Sequence, residues 1–466
     1  MKERRNRRKA PPVHAKLETR RAELKQPGRP AKPAKAGKGP ARRPPDLELL
    51  QAIRAWAGGR GGEVAADEAL SAAGRTGRFR LKGALDRFFR HYARLTWLTQ
   101  RQNLPASPEM LWGAAAVLLD DCDPDAVARA VAVTTADIRA LASAFGRMTG
   151  EGLEHASMPD WVRLECPEDY YSILAKTFGA NLKQELSALG LPAPLDIRVN
   201  TLKATPESLT QTLAAREIEM RPGVYAPLAL HAKGRPDLAA TEAFAAGLFD
   251  MQDEGSQLVA AMAGAKPGLQ VLDFCAGAGG KSLALAAAMQ NRGHLVAADT
   301  NAKRLARAKL RFKRAGVENA ERVQLTGRDD DPFLKKKATQ FDLVLVDAPC
   351  SGTGAWRRHP ETKWKADAGL DRLVALQKAI LARAARMVKR GGRLIYATCS
   401  LIPAENEAQA EAFLAAHPNF RAVPAETVWT SVLPTPWPCG AGDYLKLTPA
   451  RNGTDGFFAA VFERTA

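Results

Sequence analysis

The chain has 466 residues, 46% of them hydrophobic, and a formal charge of +18; that is long for a single core and implies two or three domains. No apolar run nears the roughly 18–20 residues of a membrane span, and no apolar stretch follows the basic start, so neither a membrane protein nor a secretory signal is expected. The six cysteines (122, 166, 275, 350, 399, 439) stand far apart without a CxxC pair, which speaks against zinc or a disulfide framework and for reduced thiols in a cytoplasm.

Residues 1–45 hold sixteen Lys and Arg against three Glu, so most of the excess charge sits at the start of the chain. Such a Pro-punctuated basic arm is expected to be a disordered tail, and it is also a sequence-blind attractor for phosphate backbones. From 46 to about 150 the chain is rich in Ala, Leu and Arg, with apolar positions at helical spacing, as in "LKGALDRFFRHYARLTWL" (81–98). This predicts an all-helical domain whose aromatics (Phe88, Phe89, Tyr92, Trp97) form a core rather than a base-stacking surface. Residues 155–250 read as a small α+β module, with helices near 168–188 and 206–215 and a strand at 194–202.

From about 251 strands and helices alternate. Strands are expected at 269–274, 293–299, 321–325, 341–349 and 391–400, with helices from Ser282, at 301–315 and at 371–389. Short apolar strands alternating with amphipathic helices specify a doubly wound, parallel, Rossmann-like α/β sheet, whose ligands bind beyond the carboxyl ends of the strands.

The first strand runs into "CAGAGGKS" (275–282). A phosphate-binding loop of the Walker type needs Gly where Cys275 stands, and the dinucleotide fingerprint needs Gly where Ser282 stands. The stretch does combine an acidic strand end, Asp273, with a tight turn of small residues, and the next strand ends in Asp299. Carboxylates and a close backbone suit S-adenosylmethionine, a zwitterionic sulfonium without phosphates, better than they suit a nucleotide. The turn (Cys275, Ala276, Gly277, Ala278, Gly279, Gly280, Lys281), Asp299, Arg304 and Asp347 are therefore the candidate donor-binding residues. Asp329 is the candidate for the adenine, with Arg328 and Asp330 as alternative registers.

Two thiols stand at strand ends: Cys350 in "VDAPCSGTG" (346–354) and Cys399 in "YATCS" (396–400). Methyltransferases acting on exocyclic amines have no need of a thiol. The C5 carbon of cytosine is not nucleophilic until a group adds reversibly to C6, which a thiolate can do.

"DAPCSGTGAWRRHPETKW" (347–364) and "YATCSLIPAENE" (396–407) resemble the bacterial RsmB-like and Nol–Nop–Sun family of RNA cytosine-5 methyltransferases. "LDIRVN" (195–200), "MQDEGSQLVA" (251–260) and "TDGFFAAVF" (454–462) resemble elements of the same family. The likeness covers about 160–466; the block 46–150 is similar in position to the NusB-like RNA-binding domain of ribosomal RNA members. The resemblance implies a S-adenosylmethionine-dependent enzyme in which Cys399 adds to C6, Cys350 assists release of the product, and Asp347, protonated, holds the N3/N4 edge of the cytosine. It implies that 155–250 faces RNA through Arg198 and Asn200, and that Arg357 and Arg358 meet substrate. The target base leaves its stack, which is cheapest in loops and single strands. Ribosomal RNA is the favoured substrate and transfer RNA the alternative; no metal is implied, and a monomer is the default. A non-catalytic RNA-binding assembly factor would not need Asp347, Cys350 and Cys399 together.

Overall fold

A computed structural model describes residues 47–58, 74–131, 133–145, 153–364, 369–440 and 442–466. The basic segment 1–45 lies outside the described residues. Of the described residues, those within 192–355 and 367–466 form one compact unit, and those within 29–191 and 356–366 form another.

The second unit is helical: α1 (Leu47–Ala57), α2 (Gly74–Arg90), α3 (Tyr92–Arg101), α4 (Pro108–Leu118), α5 (Pro124–Val131), α6 (Thr135–Phe145), α7 (Glu168–Phe178) and α8 (Leu182–Gly190). Its core contains Leu95, Leu98, Trp112, Val127, Ile138 and Leu141, with Phe88 and Phe89 buried beside them. The helical spacing of 81–98 is divided at His91 between α2 and α3, and the His91 side chain does not cap α3. The buried Glu165 does so from a distance, accepting from Ala93 N at 2.9 Å and Arg94 N at 3.2 Å. Burial pushes the Glu165 carboxyl up to about 7 and draws Lys363 down to about 8. The segment that follows the first thiol motif folds with this unit: Trp364 Nε1 donates to Phe89 O at 2.8 Å and Arg90 to Arg357 O at 2.6 Å.

The other unit begins with a four-stranded antiparallel sheet, ordered β2–β3–β1–β4: β1 (Asp196–Val199), β2 (Met220–Pro222), β3 (Ala229–Ala232) and β4 (Phe249–Met251), with α9 (Pro206–Ala214). Ile197, Val199, Leu209, Leu213 and Phe249 fill its interior. Helix α10 (Glu254–Met262) leads to an eight-stranded sheet. In chain order this contains β5 (Gln270–Asp273), α11 (Gly280–Ala288), β6 (His294–Asp299), α12 (Ala302–Ala315), β7 (Ala320–Gln324), β8 (Phe341–Asp347), α13 (Leu370–Ala385), β9 (Val388–Thr398), α14 (Glu407–Ala416), β10 (Phe420–Val423), α15 (Ala425–Val432), β11 (Leu445–Leu447) and β12 (Phe457–Arg464).

The order is β10–β12–β9–β8–β5–β6–β7, with β11 on β12. From β9 to β7 every pairing is parallel. Their central strands are continuous apolar runs, as sheets covered on both faces require: Leu394 to Ala397 are all fully buried. The expectation of a purely parallel sheet needs one correction, because β10, β11 and β12 pair antiparallel. β12 returns beside β9 against its direction, and its Phe458 and Phe462 complete the core. The chain winds from β5 out to β7 and then resumes at β8 on the other side of β5, so the strand order reverses beside the ends of β5 and β8.

Candidate functional site: donor turn and paired thiols

Three strands of the parallel sheet end in a carboxylate: Asp273 on β5, Asp299 on β6 and Asp347 on β8. After Asp273 the chain makes the 275–279 turn with Gly277 at φ 56° and Gly279 at φ 80°, left-handed values that glycine adopts without strain. Gly279 is required twice over, because a Cβ there would stand 2.6 Å from the Phe312 ring of α12. Arg311 of α12 secures the same turn by donating to Ala278 O at 2.9 Å.

The turn is not an anion nest. Ala276 N donates to Ala298 O, Gly279 N to Ala276 O, and Gly277 N to Asp299 Oδ2 at 2.7 Å. Asp299 Oδ1 accepts from Asn301 N at 2.7 Å. The near-miss with a phosphate loop thus has a physical counterpart: Asp299 already takes the Gly277 N–H, and backbone carbonyls take those of Ala276 and Gly279. Asp273 is fully buried; Oδ2 accepts from Ser282 Oγ at 2.6 Å, while Oδ1 has no partner among the described residues. Burial, with the Asp347 charge adding, pushes its carboxyl up to about 7, against the opposing Ser282 hydrogen bond. A buried acceptor left over, a second strand-end carboxylate and a close backbone suit a cationic amino-acid nucleoside such as S-adenosylmethionine.

Arg304 lies at the same turn, its Nη2 3.1 Å from where a Gly277 Cβ would be. Asp329 is not brought to it. Its side chain is 78% exposed and pairs with Arg383 at 2.6 Å, which holds its carboxyl below the ordinary value. Arg328 pairs with Asp330 at the surface. The buried acid of that loop is Asp331, which accepts from Thr326 and caps the turn at 332–336.

Beyond β8 and β9 the parallel pairing continues through Ala348 N to Ala397 O, and Gly354 N donates to Cys399 O at 2.9 Å. These bonds hold the two thiol loops together, and the Cys350 and Cys399 sulfurs stand 3.5 Å apart. The hydrogen bond with Cys399, then burial and the Glu405 charge, push the Cys350 thiol well above its ordinary value. Lys281, at the start of α11, bonds Asp347 Oδ2 at 2.6 Å. Burial alone would lower the Lys281 pKa, but Asp347 beside it, with help from Cys399, holds it above its ordinary value. The carboxyl expected at the N3/N4 edge of the base thus lies against the Lys281 side chain.

The other expected substrate contacts have structural surroundings. Arg198 is buried, with Nε on Gln252 Oε1 at 2.7 Å; burial draws it down to about 10 against the pull of Asp250. Asn200 is buried and donates through Nδ2 to Gly247 O and Ala315 O, each at 2.8 Å. Arg357 is buried and Arg358 half-buried, both in the helical unit. The sequence reading did not single out Ser351, Thr353, Ser400 or Glu405, which surround the thiols; the repeated Ser beside each Cys was the available signal.

A family model described as 16S rRNA methyltransferase RsmB/F matches residues 261–463, and one for the RsmF/B-like ferredoxin-like domain matches residues 166–238. A probable ribosomal RNA small subunit methyltransferase B of Synechocystis is 33% identical over 314 residues, which is 67% of this chain and 68% of that one. The curated relatives are spanned over about two thirds of their length. Among solved structures, PH0851 covers 90% of this chain and 99% of its own at a TM-score of 0.72 and 24% identity, a likeness of fold. A methyltransferase homologue from Pyrococcus horikoshii covers 67% of this chain and 100% of its own, at a TM-score of 0.56 and 26% identity. With the donor turn and the methyltransferase sheet in place, these matches settle its kinship: the chain belongs to the RsmB/F family of S-adenosylmethionine-dependent rRNA methyltransferases.

Proposed function

We propose that this chain methylates C5 of a cytosine in RNA, ribosomal RNA by preference, through a covalent bond from Cys399 to C6. The observation that carries the reading is the 3.5 Å approach of two sulfurs at adjacent strand ends, next to the Lys281–Asp347 pair. An amine or hydroxyl target would need neither thiol.

The donor is held by the 275–281 turn, Asp273, Asp299 and Arg304, and when bound it supplies an electrophilic methyl group. Cys399 acts as the thiolate. That thiolate forms a bond to C6, the C5=C6 pair moves to C4–C5 and the C4=N3 pair onto N3, and the resulting enamine makes C5 nucleophilic. Asp347 accepts from the N4 amino group of the base, while Lys281 offsets the charge that builds on the ring. After C5 carries its methyl group, its proton must leave and the sulfur–C6 bond must break.

Cys350 suits that second half. Its raised pKa comes first from the hydrogen bond with Cys399. Burial and the Glu405 charge still hold the thiol up once the Cys399 sulfur is bonded to carbon, so Cys350 first passes its own proton to solvent and then serves as the base. It takes the C5 proton, the electrons re-form C5=C6, and Cys399 departs as thiolate.

In this reading the tail, the helical block and the four-stranded module carry RNA, whose unpaired cytosine swings out to the thiols. The test is purified full-length protein with radiolabelled donor and unmodified ribosomal or transfer RNA, followed by bisulfite mapping. Label at a single cytosine C5 is expected, in ribosomal RNA; label on an amine or on ribose would refute the proposal.

A further inference from the structure

Behind the two thiols lies an acid that none of the chemistry above uses. Glu405 is fully buried, in the 403–405 turn between β9 and α14. Its Oε1 accepts from Ser351 N at 2.8 Å and from Gln377 Nε2 at 3.0 Å. Its Oε2 accepts from the hydroxyls of Ser351 and Ser400, each at 2.5 Å. Ser351 is the residue after Cys350, and Ser400 the residue after Cys399. One carboxylate therefore bonds the neighbour of each thiol.

The Glu405 backbone and the Gln377 donor are held in turn. Tyr396 Oη donates to Glu405 O at 2.6 Å, and Gln377, on α13, also donates to Pro349 O at 2.9 Å, just before Cys350. Ser400 Oγ lies 3.3 Å from Thr353 Oγ1, which accepts from Leu401 N at 2.8 Å. A buried carboxylate has several lone pairs to place and no water to place them on, and here four donors take them. Such a bonded centre is rigid, whereas loops at strand ends otherwise drift by more than the tolerance of a reaction between positioned atoms.

We propose that Glu405 is a positioning residue that sets the spacing of the Cys350 and Cys399 sulfurs by bonding the residue that follows each of them. Its catalytic consequence rests on the cytosine-5 reading; the spacing itself does not. Loss of the clamp lets the Cys350 loop swing, so that Cys399 still reaches the base while Cys350 no longer serves elimination.

The spacing can be measured without RNA. Diamide takes the two thiol hydrogens and closes a disulfide, which requires the sulfurs to come to about 2.05 Å. In the full chain the Cys350–Cys399 cross-link is expected to form rapidly. The Ser351→Ala/Ser400→Ala pair, which removes both hydroxyl arms and leaves the carboxylate in place, is expected to slow it at least tenfold at unchanged melting temperature and donor affinity. Glu405→Gln, which keeps the shape and two acceptor contacts, should fall between the two, and its kcat should drop with KM for RNA held. A cross-linking rate within twofold of the parent in the folded serine double variant would overturn the proposal. Since that rate needs no turnover, a chain that failed to methylate cytosine would still report on the clamp.

Discussion

The sulfurs of Cys350 and Cys399 meet at 3.5 Å across 49 positions of sequence because β8 and β9 are parallel neighbours and their pairing runs on past both strand ends. The two thiols have different surroundings and should fail differently. Cys399→Ala removes the proposed nucleophile, and turnover should fall by about a thousandfold or more. In the proposed scheme Cys350→Ala leaves the first half intact and the second half blocked, so a covalent protein–RNA adduct should accumulate and survive denaturing electrophoresis. An adduct from the Cys399 variant, or none from the Cys350 variant, would reverse or cancel the roles.

Lys281 and Asp347 form the charged pair of the site. Lys281→Met keeps the buried stem and leaves the Asp347 carboxylate without its cation. Breaking a fully buried pair costs about 3–5 kcal/mol, but the Asp347 side chain is 33% exposed. Water compensates there, and about 1–2 kcal/mol is expected by denaturant unfolding. The larger effect should be on kcat, about a hundredfold at unchanged RNA affinity, since the ammonium acts on charge that develops during reaction.

Much of this architecture is legible in residue order, for reasons that can be named. β6 and α12 fall within a residue of the expected bounds, because an apolar run closed by Asp299 and a stripe of Leu305, Ala308 and Phe312 are local signals. The thiol motifs are local too. What was missed depends on partners far along the chain. The break at His91 needs Glu165, more than seventy positions away, to cap α3. The expected 168–188 helix breaks at Gly179, which takes φ 51°. β12 is not among the expected strands, and its antiparallel place depends on pairing with β9, some sixty positions earlier, as in Phe458 opposite Thr398. Glu405 stands in the acidic stretch "AENE", and nothing local says that four donors surround it.

Asp273 gives the site a pH dependence. Its unfolded carboxyl ionises near 3.8 and its folded one at about 7, so between those values the folded chain holds a proton that the unfolded chain has lost. Stability from this group is therefore present below about pH 4 and is lost as pH rises to 7. Asp273→Asn should flatten unfolding free energy across that window. A cationic donor favours the ionised form, so its affinity should rise about tenfold between pH 6 and pH 8. Isothermal titration at the two pH values checks this, and equal affinities would remove Asp273 from the donor site.

Asn200 decides between a substrate contact and a packing role. Both Nδ2 bonds go to backbone carbonyls, one at Gly247 and one at Ala315 at the end of α12. Gly247 is itself pressed against Arg314, where a Cβ would lie 2.0 Å from the carbonyl oxygen, so the neighbouring backbone has no room to find new donors. Asn200→Ala strands two buried acceptors and should cost about 1–3 kcal/mol in denaturant unfolding. Asn200→Asp should cost more, since it turns a carboxylate oxygen toward those same carbonyls. RNA affinity of the folded Asn200→Ala protein should stay within twofold of the parent. A selective loss of RNA binding at unchanged stability would instead make Asn200 a contact, and would require the β1 end to open when RNA binds.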